Sequence, residues 1–197
     1  MSRQHSGRSG GFTLLELLFV VAIIGVLATT AIAMFQQQQQ RAKRTEAMTN
    51  LEAISKLERG YYGENGNHPS SVPVPPGAPG VKQNWAPSTW APADAAGFAT
   101  LGFSTDGSVY YVYDVNTASS GCGCASGSCF TASAYGDSDK DTNVAVVAYF
   151  HADGAGTVCP IQVYPAIGPP INPVDGLPIL EQPVDIYQYS GPVVDDY

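Results

Sequence analysis

The chain has 197 residues, a formal net charge of -8, 44% hydrophobic residues and only 13% charged ones. A charged share about half the usual one excludes a highly charged disordered protein, and the acidic balance excludes a nucleic-acid binder working through a basic surface. The length suits one modest domain plus an appendage, and 21 Gly with 15 Pro imply much loop between regular elements.

Charge is unevenly placed. From Gln83 to Tyr197 twelve carboxylates face a single cation, Lys140, while Arg3, Arg8, Arg41, Lys43, Arg44, Lys56 and Arg59 gather in the first 60 residues. Between the two basic groups, Phe12 to Phe35 is apolar except for Thr and for one charge, Glu16. As a helix rising ~1.5 Å per residue this stretch would be about 36 Å long, enough to cross a ~30 Å hydrocarbon core. A soluble helix is rarely apolar on every face for that length. The run is also long for a cleaved secretory signal, although Ala28 to Ala33 imitates a small-residue cleavage site. Flanking cations do not decide the orientation. The cysteines do: Cys122, Cys124, Cys129 and Cys159 all follow the span, an even number that suits disulfides in an oxidising compartment, with the N-terminus in the cytoplasm.

The segment Gly11-Phe12-Thr13-Leu14-Leu15-Glu16-Leu17-Leu18, with its short basic leader and the in-register stretch Val21 to Ala28, resembles the class III signal sequence of type IV pilins and pseudopilins. Arg41 to Ala47 and Thr49-Asn50-Leu51 continue in a way similar to pilins of myxobacteria, as do Leu101-Gly102-Phe103 and Tyr110 to Tyr113. The resemblance implies that a prepilin peptidase cuts between Gly11 and Phe12 and that the new amine of Phe12 is methylated. It further implies that an inner-membrane assembly platform draws subunits from the membrane into a homopolymer. One departure stands out: the family usually has a proline where this chain has Ala33. Ala neither removes a backbone donor nor clashes with the preceding turn, so the helix is expected to run on without melting after Gly25.

Glu16 has a physical reading of its own. A carboxylate in hydrocarbon costs about 2.5 to 3.5 kcal/mol on insertion scales, which marks it as functional by default. In a filament it would pair with the free Phe12 amine of a neighbouring subunit in a dry core, where the Coulomb attraction is large; the bland alternative is that it snorkels to the headgroups.

Beyond the span, the five glutamines Gln36 to Gln40 read as a polar helical bridge. Ala47, Leu51, Ile54, Leu57 and Tyr61 then recur at helical spacing as one apolar face, with Glu52 and Lys56 paired on the other side. A helix from Phe12 to Tyr62 would be about 76 Å long. A Pro/Gly-rich connection follows, with Trp85 and Trp90 as packing anchors. Strands are predicted over 98–103, 108–115, 130–135, 143–151 and 157–164, separated by turns at Asp106-Gly107 and Asp153 to Gly156. The prolines from Pro165 onward preclude long elements, leaving an acidic tail with Tyr187, Tyr189 and Tyr197 near its end.

The expected fold is α+β: a long N-terminal helix, its first half in the membrane, packed on a roughly four-stranded antiparallel sheet. In chain order the expected divisions are a removed leader (1–11), a membrane and filament-core half-helix (12–35), an amphipathic half-helix (36–62), a connecting loop (63–97), the sheet body (98–164) and the tail (165–197).

Two clusters bear on ligands. Cys-x-Cys-x4-Cys with a distant fourth cysteine suits either two disulfides or a zinc ion; outside the cytoplasm disulfides are the better reading, with Cys122 to Cys124 the least favourable of the pairings. Asp137, Asp139 and Asp141 place carboxylates at alternate positions, as a calcium loop does, but Thr142 and Ala148 stand where an EF-hand requires Gly and Glu. Calcium is the one cofactor candidate; otherwise none is expected. His5, His68 and His151 lie in no nucleophile motif and no phosphate loop follows a strand, so no enzyme is expected. The function expected is that of a type IV pilus subunit serving adhesion or twitching motility, without direct nucleic-acid binding. The alternatives are a periplasmic pseudopilin of a type II secretion system and a membrane-anchored binding protein that never polymerises.

Overall fold

The computed structural model describes residues 11–76, 81–117, 122–124, 128–137, 144–163 and 168–186. The chain divides into two compact units between Gln39 and Gln40. Among the described residues, helix α1 (Leu14–Asn65) supplies the regular structure of the first unit and the opening element of the second. It starts two residues later than expected and runs unbroken past Gly25 and Ala33, in keeping with the lack of a proline there.

In the second unit α1 buries Ala47, Leu51 and Ile54, as the spacing requires. The face then departs from expectation: Ser55 and Glu58 are buried, whereas Leu57 is 36% exposed and Tyr61 only half-buried. A 3.6-residue period carried from Ala47 reaches position 58, so the buried face continues through a carboxylate and a hydroxyl instead of the nearest apolar side chains. Glu52 and Lys56 pair at 3.9 Å on the solvated side.

The main sheet is antiparallel, with five strands in place of the expected four. Its strands are β1 (Ser71–Val74), β4 (Val112–Thr117), β5 (Phe130–Gly136), β6 (Ala145–His151) and β7 (Pro183–Asp185), in that spatial order. Between β1 and β4 come β2 (Gln83–Asn84), helix α2 (Pro92–Leu101) and β3 (Ser108–Val109), with β2 and β3 forming a small second sheet. The stretch read as a structureless connection thus holds β1, β2 and most of α2. Residues 98–103, read as a strand, end α2: Pro92 begins the helix, alanines fill it and Gly102 closes it in the left-handed conformation at φ 69°.

Alternation on the central strands sends side chains to two cores. Tyr113, Val115, Ala132, Ala134, Val147 and Tyr149 face the core shared with α1. Val112, Tyr135, Val146, Ala148, Phe150 and Val184 face a second core closed by Ile161, Ile179 and Ile186. The C-terminal part therefore covers the far face of the sheet and supplies its last strand. Residues 157–163 form no strand, contrary to expectation. Pro160 has no N–H to give, and side chains of the sheet take the carbonyls nearby: Asn116 Nδ2 donates to Pro160 O at 2.8 Å and Thr131 Oγ1 to Cys159 O at 2.6 Å. The bend before it is as expected, with Asp153 Oδ1 accepting from the N–H groups of Ala155 and Thr157 at 2.9 and 2.8 Å.

Trp85 is a packing anchor, its ring centroid 5.1 to 5.6 Å from those of Trp90, Phe98 and Phe103. Helix α2 closes on β1 at Gly97, where a Cβ would collide with the Ser70 carbonyl oxygen and come within 2.6 Å of Ser71 Cα. Gly97→Ala is expected to cost about 1–3 kcal/mol, because backbone atoms cannot yield as a side chain would. An unchanged chemical denaturation midpoint would contradict this close packing.

Candidate functional sites: the helix start and the buried polar clusters

The helix start is built by Thr13 and Glu16. Glu16 Oε2 accepts from Thr13 N at 3.3 Å and from Thr13 Oγ1 at 3.2 Å, while Glu16 N donates to Thr13 Oγ1 at 3.2 Å. This is a reciprocal capping box, Thr-x-x-Glu, in which each residue satisfies a backbone donor of the other. Thr13 escaped the sequence reading although the Thr-Leu-Leu-Glu spacing signals it. Gly11 and Phe12 precede the helix, and Phe12 is 80% exposed.

From Leu14 to Phe35 the large apolar side chains of α1 stand exposed, and α1 is long and apolar enough to cross a membrane. Its polar interruptions are internally satisfied: Thr29 Oγ1 donates to Val26 O at 2.7 Å and Thr30 Oγ1 to Leu27 O at 3.0 Å. Hydroxyls folded back on the helix suit hydrocarbon, where an unpaired polar group costs several kcal/mol.

In the second unit the structure joins Cys122 to Cys159 and Cys124 to Cys129, with Cα atoms 5.2 and 6.1 Å apart. Cys124, Cys129 and Cys159 are buried. All four sulfurs lie within 4.8 Å of one another, so the loop before β5, up to the residue preceding that strand, and the segment after β6 meet at one point.

Three further polar clusters were not foreseen. Glu58 and His68 are buried together, with Oε2 and Nδ1 3.0 Å apart and the imidazole between the rings of Tyr62 and Phe130, each 4.7 Å away. Burial raises the Glu58 carboxyl above its usual range, and the contact with His68 offsets part of that rise. His151 Nδ1 meets Glu181 Oε1 at 2.6 Å, while Tyr149 OH donates to Glu181 Oε2 at 3.0 Å and Arg59 approaches that oxygen at 3.4 Å. His151, read as a plain strand end, is thus tied to the segment leading into β7. In the second core Asp114 accepts from Ser133 Oγ and, at 3.4 Å, from Tyr135 OH. Burial raises its carboxyl to about 7.

Of the calcium candidates, Asp137 follows β5, while Asp139 and Asp141 lie outside the described residues. Tyr187, Tyr189 and Tyr197 also lie outside them.

A membrane-length apolar helix start with a carboxylate in its first turn, followed by a body of helix and antiparallel sheet, defines an α+β protein whose N-terminal helix is long and apolar enough to span a membrane. Residues 7–32 match the family model of the prokaryotic N-terminal methylation motif. Over 57 residues the chain is 49% identical to the type IV major pilin protein PilA of Myxococcus xanthus, a stretch covering 29% of this chain and 26% of that protein. It is 34% identical over 101 residues to a type IV major pilin protein, PilE1, of Neisseria gonorrhoeae, covering 49% of this chain and 45% of that one. With a fimbrial protein of Pseudomonas aeruginosa it shares 48% identity over 44 residues, 22% of this chain and 29% of that protein. The chain thus spans less than half the length of these relatives. No solved structure matches it.

Proposed function

We propose that the chain is the precursor of a type IV pilus subunit, a structural protein and not an enzyme. A prepilin peptidase removes residues 1–11 by cutting between Gly11 and Phe12, and the Phe12 amine is methylated. The mature subunit waits in the inner membrane with its body in the periplasm. An assembly platform then moves it into a homopolymer in which the apolar half of α1 exchanges lipid for the helices of other copies. The filament serves adhesion or twitching motility. The carrying observation is the exposed apolar surface from Phe12 to Phe35, interrupted by one carboxylate within a segment that matches the methylation motif.

The polymer reading follows from where that surface can go. An exposed apolar run of this size is unstable in water, and lipid or like helices are the media that cover it on all sides. The disulfides Cys122–Cys159 and Cys124–Cys129 would then lock the body after export, where oxidising conditions keep them closed.

The test is the intact mass and N-terminal sequence of protein sheared from cell surfaces. The expected product begins at methylated Phe12 and occurs in a fibre fraction. Full-length, unmethylated chain confined to membranes would overturn the reading. Deletion of the gene separates filament types: loss of surface fibres supports the pilus, whereas loss of protein secretion with fibres intact would reassign the chain to a secretion pseudopilus.

A further inference from the structure

We propose that the four cysteines, before they pair as disulfides, form a binding site for a single tetrahedral divalent cation, zinc by preference. The reduced chain holds the ion, and polymerisation plays no part in that binding. Zinc holds thiolate sulfur at ~2.3 Å, so the sulfurs of a tetrahedral set lie ~3.8 Å from one another. Across the two disulfides the sulfur separations are 3.7 Å for Cys122–Cys124, 3.8 Å for Cys122–Cys129, 3.8 Å for Cys124–Cys159 and 3.3 Å for Cys129–Cys159. Two disulfides need only two close pairs. Here every sulfur lies 3.3 to 3.8 Å from both sulfurs of the other pair, three of the four separations matching the tetrahedral spacing that a shared central ion requires.

Local structure accounts for this convergence. Cys124 N donates to Cys122 O at 2.9 Å, a tight turn through Gly123 that holds the two sulfurs near each other instead of on opposite faces of a strand. Cys159 arrives from the irregular segment after β6, fixed by the bond from Thr131 Oγ1 to its carbonyl. Three of the four residues are buried, so an ion held here would be shielded from competing water ligands. The donor set is wholly sulfur, which selects a borderline-soft ion over calcium or magnesium.

Ion binding and disulfide formation use the same atoms and exclude each other. Four thiols that bind the ion release four protons. When a disulfide-exchange oxidant instead takes four electrons from the sulfurs, two S–S bonds form and the ion leaves. Chains are made in a compartment that keeps thiols reduced, so the binding form comes first and no added reductant is required.

The experiment uses the full-length chain in detergent, reduced with a phosphine under oxygen-free conditions and titrated with Co²⁺ and then Zn²⁺. Expected are one cobalt per chain, the thiolate charge-transfer and visible bands of a tetrahedral site, and displacement by one equivalent of zinc. The oxidised chain should show none of these. Cys122→Ser, at the least buried of the four positions, should lose the bands while its circular dichroism stays that of the parent. Since a site formed by folding raises stability when filled, the denaturation midpoint of the reduced chain should also rise with zinc, and it should do so even where reduction has weakened the fold. Absence of tetrahedral bands and of a midpoint shift in the reduced chain would overturn the proposal. Equal uptake by the oxidised chain, or unchanged bands in Cys122→Ser, would do the same.

Discussion

Replacing Glu16 by Gln is expected to abolish surface filaments while leaving the leader cut and the helix start intact. The two effects separate because of the capping box. Gln at that position still offers an oxygen to the Thr13 N–H, as capping boxes ending in Gln do. It therefore preserves the contact that Glu16 Oε2 makes with Thr13 and removes only the charge. In the proposed filament the Phe12 ammonium of each subunit needs that charge, and an unmatched charge buried at such a contact costs about 3–5 kcal/mol. At ~1.4 kcal/mol per factor of ten, each addition would weaken by roughly two to four orders of magnitude. Glu16→Ala should lose the cap as well, worth about 1 kcal/mol more. The measurement is the yield of sheared fibres alongside the mass of the membrane-held subunit. Parental yield from the Gln variant would refute the pairing of Glu16 with a neighbour's amine. Uncut chain would move the defect to processing.

How much of this could be read in advance depended on the range of the interactions involved. The N-terminal segment was legible because its signal is local: an apolar run of membrane length, a glycine followed by phenylalanine, and one acid in register. The face of α1 was legible through Ala47, Leu51 and Ile54 and failed at Glu58, because the partner that permits a buried carboxylate there, His68, lies in the loop after the helix. Strands β4 to β6 announced themselves through β-branched and aromatic residues. Helix α2 did not, since Phe98, Leu101 and Phe103 read equally as a short apolar strand, and the deciding features were Pro92 and Gly102 at its ends. Strand β7 lay hidden among prolines, and the second core with it. The sheet was expected to pack on α1, and its other face is covered as well, because no short-range pattern reports which distant segment folds over a strand.

The covered far face carries a buried carboxylate, Asp114. Asp114 sits in β4 between Tyr113 and Val115, where a one-sided sheet would turn it to solvent; it is instead fully buried, bonded to Ser133 and to Tyr135 of the second core, which Ile161, Ile179 and Ile186 close. Burial raises its folded-state carboxyl from 3.8 to about 7, and the bonds from Ser133 and Tyr135 only moderate the rise. Because the folded state holds the proton more tightly than the unfolded one, the contribution of Asp114 to stability is fully present below about pH 4 and is lost as pH climbs to about 7, levelling above. At ~1.4 kcal/mol per pH unit the loss is on the order of 4 kcal/mol. Glu46 and Glu58, both also raised by burial, act in the same direction. Asp114→Asn keeps an acceptor for Ser133 without a charge to desolvate. It should match the parent near pH 4, exceed it by several kcal/mol at pH 8, and flatten most of the slope between. Chemical denaturation of both proteins across that range is the measurement, and parallel curves would show that the ionised Asp114 reaches water and that the second core is open.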